Sequence, residues 1–183
     1  SAGGLIGPGG TDELAVRRGS IERALHSAIA HDEFRVLYQP QLRLHDGALI
    51  GAEALVRWRS RELGDVSPAE FIPVAESLGL IRPMGAQVLA RAAMQAQRWE
   101  REGVADLRIA VNLSMAQFRS HDLAAELAAT VAAVGRPASR VELEITESML
   151  AEDADRAARS LRTLRASGFE LAIDDFGTGY SSM

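Results

Sequence analysis

The spacing of apolar positions changes repeatedly along this chain, and each change marks an element. Ile21, Leu25 and Ile29 recur at i, i+4 and i+8 within "IERALHSAIAHDE", which predicts a helix with Ser20 as its N-cap. "FRVLYQPQLRL" (Phe34–Leu44) then alternates with the period of a strand, and Pro40 puts that strand at a sheet edge or an irregular point. Asp46-Gly47 is a hairpin turn signal, and "ALIGAEALVRW" (Ala48–Trp58) is the returning strand. The first two strands are therefore expected to be antiparallel neighbours. "SPAEF" starts a helix: Ser67 caps it, Pro68 takes the first helical position, and Glu70 completes a capping box. Pro73 is expected to break that helix early. A longer helix follows over roughly Arg82–Glu102, ended by Gly103.

Beyond Gly103 the pattern becomes regular. "LRIAVNLS" reads as a strand and "HDLAAELAATVAAVG" as a helix closed by Gly135. "RVELEITES" reads as a strand and "EDADRAARSLRTLRASG" as a helix closed by Gly168, before a last strand in "FELAIDDF". Strands alternating with helices imply an α/β fold with a parallel sheet and helical crossovers. The count is five strands.

These strands carry oxygen-bearing side chains near their carboxyl ends, where parallel α/β folds bind ligands. Glu53 lies in "GAEAL", Asn112 ends "IAVN", Glu144 and Glu147 lie in "VELEITE", and Asp174 and Asp175 end "LAIDD". Such a set suits a hard divalent cation, Mg²⁺ or Mn²⁺. Adjacent acids point in different directions and could serve two ions, whose charge would offset the mutual repulsion of the carboxylates. One isolated acid of this kind is more often a helix cap or a solvated turn residue; four strands each contributing a ligand atom shift the balance toward metal. Arg57 shares a strand face with Glu53 and could hold a phosphate or stack on a base. The glycines of "FGTGYSS" could cradle a phosphate or form a mobile turn; no Walker lysine follows them. His26, His31, His45 and His121 are scattered and read as surface or helix-end residues, and Trp58 and Trp99 as packing residues.

Composition narrows the class. The 183 residues suffice for one domain with a core, and 47% hydrophobic with 25% charged residues is ordinary for a globular protein. Without cysteine there is no disulfide framework and no thiolate metal site, which fits a reducing compartment. The net charge of −5 disfavours general binding of nucleic-acid polymers. No apolar run approaches the roughly 18 residues that span a bilayer, and "SAGGLIGPGG" lacks the regions of a signal peptide. Residues 1–19 are expected to be a flexible linker or added remnant, and residues 20–183 the folded part.

Taken together, "YQPQ", "GAEALVRW", "SPAEFIPVAE", "VNLS", "ELEITES" and "DDFGTGYSS", in that order, closely resemble the EAL-domain family. These are bacterial phosphodiesterases that hydrolyse cyclic di-GMP to linear pGpG. The resemblance runs from about Ser20 to Met183. It implies a TIM-like barrel with an antiparallel first strand, of which about five of eight strands would be present. By motif, Glu53, Asn112, Glu144 and Asp174 resemble ligands of a first Mg²⁺ or Mn²⁺, with Asp174 bridging to a second and Asp175 beside it. Glu53, Asp174 and Asp175 would then be the catalytic acids. Glu147 resembles the anchor of the loop Phe176–Ser182, which in the family supports metal binding and often dimerisation. Gln39 and Arg57 match positions that contact cyclic di-GMP, and Leu55 lines its pocket.

The implied chemistry is two-metal hydrolysis in a bacterial cytoplasmic protein, with a GGDEF or sensory domain expected upstream. The family also uses a lysine, a glutamate and a glutamine later in the domain, which no residue up to Met183 matches, so the 183-residue chain alone is expected to be inactive or nearly so. The alternative is a cyclic di-GMP receptor or signalling interaction domain that does not hydrolyse. An unrelated Mg²⁺ enzyme on a TIM-like barrel would explain the strand-end acids but not Gln39, Arg57 or the glycine-rich loop.

Overall fold

The computed structural model describes residues 9–104, 107–151 and 153–174. Helix α1 (Gly9–Ala30) precedes an antiparallel hairpin of β1 (Phe34–Leu42) and β2 (Leu49–Ser60). A short β3 (Gly64–Val66) and helices α2 (Pro68–Ser77) and α3 (Ile81–Arg101) follow. Then come β4 (Arg108–Asn112), α4 (Met115–Phe118), α5 (Leu123–Ala133), β5 (Val141–Thr146), α6 (Glu147–Ala151), α7 (Ala154–Ala166) and β6 (Glu170–Asp174). The strand order is β1-β2-β4-β5-β6, with β2, β4, β5 and β6 parallel. This is a mixed α/β fold: an incomplete TIM-like barrel whose first strand runs antiparallel to the second.

The hairpin turn forms as its sequence requires. Gly47 takes a φ of +68°, and the Ala48 amide donates to Asp46 Oδ1 at 3.1 Å. β1 is an edge strand, so the missing amide of Pro40 removes no ladder bond from the sheet interior. The capping box of α2 is complete: Ser67 accepts from the helix backbone, and the Ser67 amide donates to Glu70 Oε2 at 3.1 Å.

Five expectations are corrected. α1 extends back to Gly9, so residues 9–19 are helical rather than flexible. Arg17 Nε bonds Glu70 Oε1 at 2.9 Å and Arg18 Nη2 bonds Ser77 Oγ at 3.0 Å, which docks this stretch on α2. Ser20 is accordingly not a cap: inside the helix, its hydroxyl donates back to Val16 O at 3.1 Å. Pro73 does not end α2, which continues to Ser77. Burial of Phe71, Val74 and Ala75 on that helix offsets a proline cost of about 3 kcal/mol. Finally, the described residues hold the five expected strands and one more: β3 pairs with Trp58–Ser60 at the far end of β2. "RVELEITES" also divides, its strand stopping at Thr146 where α6 begins.

The register assigns each strand two faces. Ala52, Ala54, Ile109, Val111, Val141, Leu143 and Ile145 face one way and are buried, packed with Leu89, Ala92 and Ala96 of α3, Leu127 and Val131 of α5, and Leu164 of α7. A second core joins Ile21 and Leu25 of α1 to Phe34, Trp58 and Phe71, whose ring centroids lie 5.6–5.9 Å apart. The opposite face of the sheet, the concave side of the barrel, is left for polar residues.

Candidate active site

Cross-strand pairing fixes which side chains share that concave face. Gln39 is opposite Glu53, and Gln41 opposite Gly51, across β1 and β2. Asn112 is opposite Glu144 across β4 and β5, and Thr146 opposite Asp174 across β5 and β6. Since side chains alternate along a strand, Gln39, Gln41, Glu53, Leu55, Arg57, Asn112, Glu142, Glu144 and Asp174 all project to one side.

Glu53, Asn112 and Glu144 form the centre of this face. Asn112 Nδ2 donates to Glu53 Oε1 at 2.7 Å. Glu144 is 8% exposed, the most buried acid of the group. Its Oε1 accepts a long hydrogen bond from Gln41 Nε2 at 3.4 Å. Its Oε2 is buried without a hydrogen-bond partner among the described residues. Burial raises the Glu144 pKa to about 7, helped by the negative charges of Glu53, Asp174 and Glu142. A protonated Glu144 can also share its hydrogen with Glu53, whereas two carboxylates there can only repel. Arg108 Nη1 lies 2.9 Å from Glu142 Oε2 and draws part of that charge away from Glu144.

Leu55, Arg57 and Asn112 also border a cavity of about 300 Å³ under α2 and α3, walled by Ile72, Met84, Val88 and Leu113. Arg57 Nη1 donates to Val56 O at 2.8 Å, which holds the guanidinium near the cavity rim. Gly85 belongs to the same wall. A Cβ there would stand 2.3 Å from Nε2 of the buried Gln117, so the glycine permits the close approach of α3 and α4.

The structure thus brings Glu53, Asn112, Glu144 and Asp174 into one electrostatic group, with Leu55 and Arg57 beside it. Gln39 is exposed on the edge strand. Glu147 begins α6 beyond the end of β5, outside the core of the group. Asp175 and the loop Phe176–Ser182 lie outside the described residues. Among the described residues, no three acidic or imidazole side chains are grouped closely enough to hold a metal ion. The donor chemistry nevertheless suits a hard cation: carboxylate and amide oxygens on one face, including a buried, partnerless Glu144 oxygen. Gln41, Glu142 and Arg108 were not singled out from the sequence. The first two were reachable by the two-residue period from Gln39 and Glu144; Arg108 was not, because its role depends on pairing with a neighbouring strand.

The EAL domain family model matches residues 22–183. The chain belongs to the EAL domain family. This EAL domain is 38% identical over 172 residues to a cyclic di-GMP phosphodiesterase of Pseudomonas aeruginosa, covering 93% of the chain and 29% of the relative. It is 36% identical over 172 residues to the oxygen sensor protein DosP of Escherichia coli, covering 94% of the chain and 22% of DosP. Among solved structures, it superposes on the PaMucR phosphodiesterase in complex with c-di-GMP with a TM-score of 0.82 and 39% identity. That match covers 89% of this chain and 66% of the other. The EAL enzyme Bd1971, solved with cAMP and cyclic di-GMP bound, superposes with a TM-score of 0.79 at 28% identity, covering 92% and 47%. The chain spans between a fifth and a third of the length of these two curated relatives. No helix among the described residues is long and apolar enough to cross a membrane.

Proposed function

We propose that this EAL domain serves a cytoplasmic bacterial phosphodiesterase that hydrolyses cyclic di-GMP to linear pGpG. The observation that carries the reading is the shared face: Glu53, Asn112, Glu144 and Asp174 project together beside a cavity rimmed by Arg57. Cyclic di-GMP is a compact dianion with two purine bases. The apolar cavity walls suit a base, and the Arg57 guanidinium suits its phosphate. Leu55 adds an apolar contact, and Gln39 offers an amide from the edge strand.

Glu53, Asn112, Glu144, Asp174 and Asp175 are the residues that would hold two divalent cations, Mg²⁺ or Mn²⁺. When bound, these supply a water of lowered pKa and neutralise charge on the attacked phosphate. The chain's own residues have simpler tasks. Asn112 orients the Glu53 carboxylate through their 2.7 Å bond. Glu144 would hold a cation as the carboxylate, because metal and proton compete for the same oxygens. Arg57 positions the ligand. Glu147 would anchor the segment 176–182, which lies outside the described residues and would also serve in a homodimer, and a GGDEF or sensory domain would precede α1.

The sheet is open at β1 and at β6 among the described residues, and its concave face is unclosed. The 183-residue chain alone is therefore proposed to turn over little or no substrate. The test is chromatography of cyclic di-GMP incubated with protein containing the whole EAL domain, with Mg²⁺ or Mn²⁺ and then with chelator. Cation-dependent pGpG, abolished in Glu53→Gln, is the expected result. Tight calorimetric binding of cyclic di-GMP without pGpG under either cation would replace this reading with that of a receptor.

A further inference from the structure

Gln41 reaches the acidic face from the edge strand. It stands opposite Gly51, two positions beyond Gln39, and its amide nitrogen is the donor that meets Glu144 Oε1, at 3.4 Å. The approach depends on Gly51. A Cβ there would lie 2.7 Å from Gln41 Oε1 and 2.8 Å from Arg108 O, closer than any side chain can pack. The Gln41 side chain therefore crosses β2 at the one residue without a side chain. With Oε1 of Glu144 taken by this amide, Oε2 is the oxygen left buried without a partner.

We infer that Gln41 is a positioning residue: through the gap at Gly51, its amide holds Glu144 by one oxygen and leaves the other directed to a divalent cation. The inference rests on the metal-dependent reading above. A neutral donor suits this role. It restrains a carboxylate without supplying the charge that a lysine or arginine would, so it orients Glu144 without neutralising it against a cation. The chemical class of the ligand is a hard divalent cation, and Gln41 acts on it only through Glu144.

The experiment is calorimetric titration of Mn²⁺ into protein containing the whole EAL domain, comparing wild type, Gln41→Leu and Gln41→Met, with melting temperatures measured in chelator. Loss of an outer partner of a metal ligand lowers affinity about 10- to 100-fold. The expected result is a Mn²⁺ affinity about 10-fold weaker in both variants, with the chelator melting temperature within about 2 °C of wild type. Methionine keeps the length of the side chain without its donor, so it covers the case in which leucine fails to fold. Equal Mn²⁺ affinity in wild type and a folded variant would overturn the inference while leaving the metal reading intact. Weaker affinity accompanied by a matching fall in the chelator melting temperature would also overturn it, because Gln41 would then only support the fold. Absence of Mn²⁺ binding by the wild type would overturn the metal reading, and this inference with it.

Discussion

Replacing Glu144 with glutamine should stabilise the metal-free protein at neutral and alkaline pH and have little effect in acid. Glu144 is 8% exposed, and its pKa is raised from 4.5 to about 7. Between those values the folded state keeps a proton that the unfolded chain has released. Wild-type stability therefore falls as pH rises through that window and stays reduced above it. A shift of this size corresponds to about 3 kcal/mol. Glutamine is neutral throughout, so Glu144→Gln should match wild type near pH 4.5 and exceed it by up to about 3 kcal/mol at pH 8. For a chain of this length, that is a rise in melting temperature of about 6–12 °C. The assay is urea unfolding followed by the fluorescence of buried Trp58, in chelator, from pH 4.5 to 8. The difference between the two proteins cancels the titrating groups that do not interact with Glu144, leaving those coupled to it, Glu53, Asp174 and Glu142. Added Mg²⁺ should then reverse the order: a cation at about 1,000 times its Kd adds about 4.1 kcal/mol to the protein that binds it. A difference that stays flat with pH, or a glutamine variant less stable than wild type at pH 8 in chelator, would refute the reasoning.

Three further outcomes are expected. Arg136→Ala should cost about 2–4 kcal/mol in urea unfolding, because the buried guanidinium bonds Glu100 Oε1 at 2.7 Å and Leu107 O at 2.5 Å; Glu100→Gln, which keeps an acceptor but leaves the buried guanidinium without its counter-charge, should cost about 1–3 kcal/mol. Gly51→Ala should lower stability by about 1–3 kcal/mol, since its new methyl would meet the Arg108 carbonyl as well as Gln41; an unchanged urea midpoint would show that β2 and β4 are not so close. Arg57→Lys should weaken cyclic di-GMP binding about 10-fold in calorimetry at unchanged melting temperature, because a point charge does not replace a planar fork; equal affinity would remove Arg57 from the ligand site.

Most elements were legible because their signals are local. The capping box at Ser67, the left-handed glycines at Gly47, Gly103, Gly135 and Gly168, and the alternation of β1 are each set by a few neighbouring residues. The failures share a cause as well. Helix from Gly9 to Gly19 is supported by ion pairing and hydrogen bonding to α2, some fifty residues away. Pro73 is tolerated because its helix buries Phe71 and Val74 in a core shared with α1 and β1. β3 is only three residues long and exists because the long β2 offers it an edge.

The site divides along the same line. Family membership, and the identity of Glu53, Asn112, Glu144 and Asp174 as notable strand-borne groups, came from residue types and their order, which survive in one dimension. Their grouping on one face, the burial of Glu144, and the participation of Gln41, Arg108 and Glu142 came from strand register. Register is a relation between segments far apart in the chain, and a slip of one residue would send each of these side chains to the opposite face. Glu53 and Glu144 are ordinary carboxylates as letters. The raised pKa of Glu144 arises only when folding removes it from water and sets Glu53, Asp174 and Glu142 around it.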